Sequence, residues 1–407
     1  MSVHESPVRA AALAPATAPP LSPAGLRPGT GPAGRHVVFV AWRDLASPDA
    51  GGSEILVDRL AAGISGRGDR ATLLCGGPTG ERSYQVIRNG GSYSQFLRAP
   101  GAYRRQLRTD CDLVVEVCNG MPFLAPLWTR KPVVCLVNHI HADLWPLRFR
   151  PPVSLAGRFA ESTVMPWAHR RSLFLTVSSS TAEALTRIGV GPDRIRVICN
   201  GVEPAPPPAA RSPQPLFLAL GRLVPAKRLD VLLRLWDQVR PVTGGRLVIA
   251  GDGPERGRLE ALAGPDVEFA GRVSEAEKHR LLCAAWMLLH PAVIEGWGIV
   301  VTEAAARGTP ALGFRVAGLR DSVLDGRTGR LVGSEIEFAA AWAALTVDHQ
   351  TREALGQAAR QRARQLHWSA AVGGFCAVAD EAIARAARPP AAGVTGGTGG
   401  TGGAGAC

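Results

Sequence analysis

The chain has 407 residues, 46% of them hydrophobic and 20% charged, with a formal net charge of +12. That length exceeds one ordinary core and suits two domains of a soluble globular protein. The basic balance points to phosphorylated substrates or an anionic membrane face. Zinc-finger spacing, aromatic RNA-binding strands and a long basic helix are all missing, which sets nucleic acid aside.

The eight cysteines form no C-x-x-C pair, and most sit in apolar runs as small hydrophobes. The expectation is a reducing compartment without a disulfide or zinc framework. Residues 10–26 are Ala/Pro-rich and lack the continuous apolar core of a signal peptide, and no apolar run is long enough to span a membrane. Together these predict a cytoplasmic protein, with peripheral contact at the inner membrane face as the membrane option.

Residues 1–34 are Pro/Ala/Gly-rich and read as a disordered tail. Order is expected to begin at His36–Ala41, a continuous apolar run typical of a buried parallel strand. A helix over Glu54–Ser65 follows, so Gly51, Gly52 and Ser53 occupy a strand-to-helix loop that can offer N–H groups to an anion. Further strands are read at 71–75, 84–88, 112–117 and 132–137. The string Asp110-Cys111-Asp112 matches a D-x-D metal pattern, but it opens a buried strand and is set aside. Asn138-His139-Ile140-His141 leaves the carboxyl end of a strand with no further ligands to complete a metal set, so His139 and His141 read as hydrogen-bonding groups for a ligand. Arginines 148, 150 and 158 flank a Phe/Leu/Trp-containing stretch that suits either a membrane interface or ordinary packing.

A strand at 173–177, a helix at 181–188 and a strand at 195–198 complete the first half. Residues 204–215 hold six prolines in twelve positions and read as a linker. The alternation then restarts: a strand at 216–220, Gly221-Arg222-Leu223-Val224-Pro225-Ala226-Lys227, a helix, a strand at 246–250, another at 267–270, a helix and a strand at 287–290. The stretch 290–313 reads strand, Gly-Trp-Gly turn, helix, strand. It carries Glu295 and Glu303, eight residues apart, beside a helix N-terminus. Carboxylates accept from hydroxyls and the helix end attracts an anion, which together suit a ligand bearing both sugar and phosphate. Helices at 335–347, 351–366 and 369–387 close the chain, and residues 389–407 read as a second disordered tail.

The strings G-R-L-V-P-A-K-R-L-D (221–230), G-D-G-P (251–254), E-G-W-G-I-V-V-T-E-A-A-A-R-G-T-P (295–310) and C-N-G-V-E (199–203) resemble those of glycosyltransferase family 4. The resemblance implies an α/β GT-B fold: two Rossmann-like domains facing a cleft. The first, 35–203, binds the acceptor. The second, 216–366, binds a nucleotide sugar and is followed by a closing helix at 367–388. It implies a retaining, metal-independent hexosyltransferase with no cofactor, acting on a glycan, lipid or small-molecule acceptor. Arg222 and Lys227 then match the basic pair that holds the donor diphosphate. Glu303 matches the ribose-binding glutamate and Glu295 the one that contacts the transferred sugar. Gly296, Trp297, Gly298 and Ile299 match the turn whose N–H groups meet sugar and phosphate, and Gly51 and Gly52 the facing glycine loop. The family's active-site histidine falls to His139 or His141, because Asn138 stands directly at the strand end. A hydrolysing nucleotide-sugar epimerase and a non-catalytic nucleotide-sugar-binding subunit remain the alternatives.

Overall fold

The computed structural model describes residues 34–207 and 209–388. The two tails assigned above, apart from Gly34, lie outside the described residues. One sheet is built from β1 (His36–Arg43), β2 (Arg70–Gly76), β3 (Gln85–Arg88), β4 (Leu113–Cys118), β5 (Val133–Val137), β6 (Leu173–Thr176) and β7 (Ile195–Val197). Its strand order is β3-β2-β1-β4-β5-β6-β7. A second sheet holds β8 (Leu216–Leu220), β9 (Arg246–Ala250), β10 (Val267–Gly271), β11 (Met287–His290), β12 (Ala311–Phe314) and β13 (Gly329–Val332), in the order β10-β9-β8-β11-β12-β13. Every pairing is parallel.

The two sheets repeat one winding. In each, the chain moves outward from its first strand, then returns to lay a strand on that strand's other side. Val37 of β1 thus lies opposite both Ala71 of β2 and Leu113 of β4. Strand order reverses at β1/β4 and again at β8/β11, and open α/β sheets bind ligands at such points, beyond the carboxyl ends of the strands.

Helices cover both faces of each sheet, which is why the strands read as unbroken apolar runs. On one face of the first sheet pack Leu56, Leu60 and Ile64 of helix Gly52–Ser65. The second core is built around Trp236 and Trp342, stacked at 5.5 Å, with Phe217 and Phe338 on their edges. The last helix, Trp368–Ala387, packs into the core of the first sheet, where Phe375 stacks on Phe39 at 5.6 Å.

Three stretches differ from their sequence reading. Residues 91–109, to which the sequence reading assigns no element, contain helix Gln95–Gln106; its interior Pro100 and its arginines mask a buried stripe of Gln95, Ala99, Ala102 and Tyr103. Strand β13 was not foreseen, being four residues long with Gly329 and Arg330 among them. The stretch around 144–167 is a chain of short helices joined through a π-helical turn, Ala160–Val164. Asp110 pairs with Arg70, while Asp112 accepts the His36 backbone N–H at 2.8 Å, so both acids of the D-x-D string tie strand ends together. No described helix is long and apolar enough to cross a membrane.

Candidate active site

The carboxyl ends of β1, β4 and β5 supply one wall. At the end of β1, Arg43 forms a buried pair with Glu54 at 2.9 Å. Glu54 also accepts the Trp42 indole N–H at 3.2 Å and the Gly51 backbone N–H at 2.7 Å. One carboxylate thereby fixes the glycine loop and caps the helix behind it. Ser53 Oγ accepts from Asn119 at 2.7 Å and from Asn138 at 2.9 Å, joining the loops after β4 and β5 to that helix start.

His139 and His141 project from the same wall, their rings stacked at 4.0 Å. Burial and the neighbouring His141 push the His139 imidazole down to about 3, against the pull of Glu295 and Glu161. His141 is held from behind: Glu161 Oε1 accepts its backbone N–H at 2.7 Å and lies 3.3 Å from its Nδ1. Burial raises the Glu161 carboxyl to about 7. The sequence reading missed Glu161, which sits in the π-helical turn, a feature often found at functional sites.

The second wall begins at β8. Lys227 closes a single 3-10 turn, Pro225–Lys227, and places Nζ 2.5 Å from Glu295 Oε2. The same oxygen lies 3.1 Å from His290 Nε2, at the buried end of β11. Burial alone would raise the Glu295 carboxyl, but Lys227 and His290 outweigh it and hold it well below the usual carboxylate range. Burial and Lys227 keep the His290 imidazole below its ordinary value. Gly221, Arg222, Lys227, His290 and Pro291 line one small hollow. Gly298, at φ +85°, turns the chain into helix Ile299–Ala306, whose first N–H groups lack intrahelical acceptors.

The two walls touch. A methyl placed on Gly51 would stand 3.7 Å from Arg222 Nε, and one on Gly52 3.3 Å from Ile299 Cδ1. A methyl on Gly296 would come within 2.6 Å of the Asn138 carbonyl oxygen, so this glycine admits the opposing backbone. Trp297 is buried in the apolar cluster of the first sheet, and its indole N–H finds no partner among the described residues. Its side chain is therefore packing that bridges the halves. Arg222, Lys227, Glu295, Gly51, Gly52, Gly296, Ile299 and the histidine pair converge on one cleft.

Glu303 has a partner of its own, Lys278 Nζ at 2.7 Å. The sequence reading missed Lys278, although a signal for it exists. Of 46 basic residues only three are lysine, namely Lys131, Lys227 and Lys278, and two of those three sit on the two glutamates.

Residues 50–205 match the profile of Glycosyltransferase Family 4, and residues 205–362 that of Glycosyl transferases group 1. The chain belongs to this glycosyltransferase family. Among its relatives is a D-inositol 3-phosphate glycosyltransferase of Kribbella flavida, 31% identical over 246 residues, 54% of this chain and 57% of the relative. The matches to relatives of this kind span about half the length of those proteins. A GDP-mannose-dependent alpha-(1-6)-phosphatidylinositol dimannoside mannosyltransferase of Mycobacterium tuberculosis is 28% identical over 377 residues, 84% of this chain and 95% of that protein. In fold, the chain resembles sucrose-phosphate synthase from Thermosynechococcus elongatus, with a TM-score of 0.73 at 20% identity, covering 86% of this chain and 99% of that one. It also resembles Anabaena HepE, solved with UDP and glucose, with a TM-score of 0.68 at 19% identity, covering 84% and 98%. The fold is GT-B: two Rossmann-like halves, each wound about its own switch point.

Proposed function

We propose that the protein transfers a hexosyl unit from a nucleotide-diphosphate sugar to a glycan or lipid-linked acceptor with retention of configuration, without a metal. The observation that carries this reading is the group Arg222, Lys227, Glu295 and His290 at the β8/β11 switch point, facing the Gly51-Gly52 loop across the cleft. Lys227 is charge-neutralised by Glu295 here. An incoming diphosphate competes for that lysine and releases the carboxylate toward the sugar. As the sugar C1–O bond to phosphate breaks, negative charge grows on the leaving diphosphate. Arg222, Lys227 and the N-terminus of helix Ile299–Ala306 stabilise that charge. The acceptor hydroxyl forms the new C1–O bond from the same face and gives its proton to the departing phosphate oxygen. Glu303 holds the ribose hydroxyls in this reading, and His139 lines the sugar side with His141 behind it.

One surface of the first half favours an acceptor presented at an anionic membrane. Val153, Leu155, Phe159 and Trp167 are exposed there among exposed Arg150, Arg158, Arg170 and Arg171. Apolar side chains mixed with arginines suit a lipid headgroup boundary.

A thermal-shift panel of UDP-, GDP- and ADP-sugars identifies the donor. Turnover is then assayed with soluble and vesicle-bound lipid acceptors, with and without EDTA, and the product anomer is read by NMR. The expected result is retained configuration and EDTA-insensitive transfer that falls at least about a hundredfold in Lys227→Ala, as loss of a charge-assisted contact to developing charge requires. Donor binding without transfer would favour the non-catalytic reading. Unimpaired Lys227→Ala would remove the diphosphate assignment, and full activity without vesicles would remove the membrane part.

A further inference from the structure

Glu303 enters the site already engaged. It lies on helix Ile299–Ala306, and Lys278 reaches it from the neighbouring helix Glu275–Ala284. The Nζ···Oε1 distance is 2.7 Å, and both side chains are largely shielded, at 15% and 17% exposure. Lys278 also contacts Glu275 at 2.8 Å, but that carboxylate is 87% exposed and screened by solvent, whereas Glu303 is shielded. On the far side of Glu303, Arg307 donates to the Glu303 carbonyl at 2.8 Å, which fixes the backbone and leaves the carboxylate to Lys278. In a chain that uses arginine almost throughout, a lysine at this point is informative. An arginine fork would take both carboxylate oxygens, whereas an ammonium can hold one and leave the other open.

We propose that Lys278 is a positioning residue for the ribose of the donor: it pins Glu303 Oε1 and turns Oε2 toward the ribose 2′- and 3′-hydroxyls. The proposal rests on the nucleotide-sugar reading above. A carboxylate that must bind two adjacent hydroxyls gains from being ordered before the ligand arrives, because the loss of side-chain freedom then no longer opposes binding. The Lys278 side chain is largely shielded, and its ammonium supplies the contact that holds Glu303. The chemistry so defined is a ribonucleotide, and the base is left to other residues.

The test uses the full chain and diphosphate nucleotides as probes, whether or not an acceptor is known. Affinities for UDP, GDP and ADP are measured by calorimetry, and the tightest binder is compared with its 2′,3′-dideoxy analogue. Four proteins are needed: wild type, Lys278→Met, Glu303→Gln and the double variant, each with its melting temperature as a folding control. The wild type is expected to prefer the ribose form by at least about tenfold, the worth of one or two hydrogen bonds to a charged group. Lys278→Met should narrow that preference to threefold or less while affinity for the dideoxy analogue stays within twofold. Glu303→Gln should remove the preference, and the double variant should be no worse. A ribose preference that survives in Lys278→Met but disappears in Glu303→Gln would overturn the proposal and leave the donor site standing. A preference untouched by Glu303→Gln would overturn the ribose assignment itself, and with it the role of Lys278.

Discussion

His139 shows how one side chain at the cleft couples chemistry to stability. Its folded value of about 3 lies below its ordinary 6.5, so between those values the unfolded chain binds a proton that the folded one refuses. Stability from this group is complete above about pH 6.5 and is lost as pH falls. His290 is depressed too and acts with the same sign. Glu161 acts oppositely. Its folded value of about 7 lies above its ordinary 4.5, so its contribution is present at low pH and is lost as pH rises through that window. Melting temperatures measured from pH 5 to pH 8 separate the two effects. His139→Gln should flatten the fall in melting temperature on acidification, and Glu161→Gln should steepen it. A His139→Gln profile parallel to the wild type would mean that the imidazole titrates freely in the fold.

At the scale of elements, the loop that carries Glu295 is shaped by what packs on it. A Cβ at Gly318, where φ is +79°, would run into the Glu295 carbonyl oxygen, whereas one at Gly326, at φ +70°, would meet only open space. Both alanine variants lose the left-handed freedom of glycine, about 1–2 kcal/mol. Gly318→Ala must also displace the Glu295 loop, adding about 1–3 kcal/mol of overpacking and lowering turnover. Equal melting-temperature losses in the two variants would show that the loop yields without resistance. The contact between Gly318 and Glu295 is invisible in the sequence, because 23 positions separate them. Much else was legible: β8, β9 and β11 appear at the boundaries their apolar runs dictate, and Glu295 stands just before the helix start that follows its Gly-Trp-Gly turn, whereas Glu303 lies further along that helix. Helix Gln95–Gln106 was hidden by its interior proline. Lys278, Glu161 and Glu54 were hidden for a different reason. Each is one charged residue in a helical stretch, and only tertiary packing shows that it faces a site residue or its loop.

At the scale of the whole molecule, the two halves are held closed by a contact that belongs to neither sheet. Asp321, in the second half, accepts the Ser179 N–H at 2.9 Å and the Ser180 N–H at 3.3 Å. These are the first amides of helix Ser179–Arg187 in the first half, so a carboxylate from one half caps a helix of the other and meets the positive end of its dipole. Arg362 donates to the Asp321 carbonyl at 2.6 Å and fixes the aspartate from its own side. Arg320 lies 3.7 Å from Glu183 of the same capped helix, and Arg272 adds another crossing, donating to the Pro48 carbonyl at 2.8 Å. Charge-assisted bonds of this kind contribute roughly 1.5–3 kcal/mol, and each 1.4 kcal/mol shifts a two-state equilibrium about tenfold. The capped helix has a serine of its own, Ser178, accepting from Thr181 at 3.2 Å, so it survives loss of the aspartate. Asp321→Ala should therefore leave the melting temperature nearly unchanged while moving the ligand-free protein toward an open form by tenfold or more. Small-angle X-ray scattering would register this as a larger radius of gyration, which saturating donor would reverse. In the assay the donor KM should rise, with kcat at saturation largely kept, because binding must then supply the closure that Asp321 provides. Superimposable scattering curves for the variant and the wild type would show that Trp297 and the last helix hold the halves together without the cap.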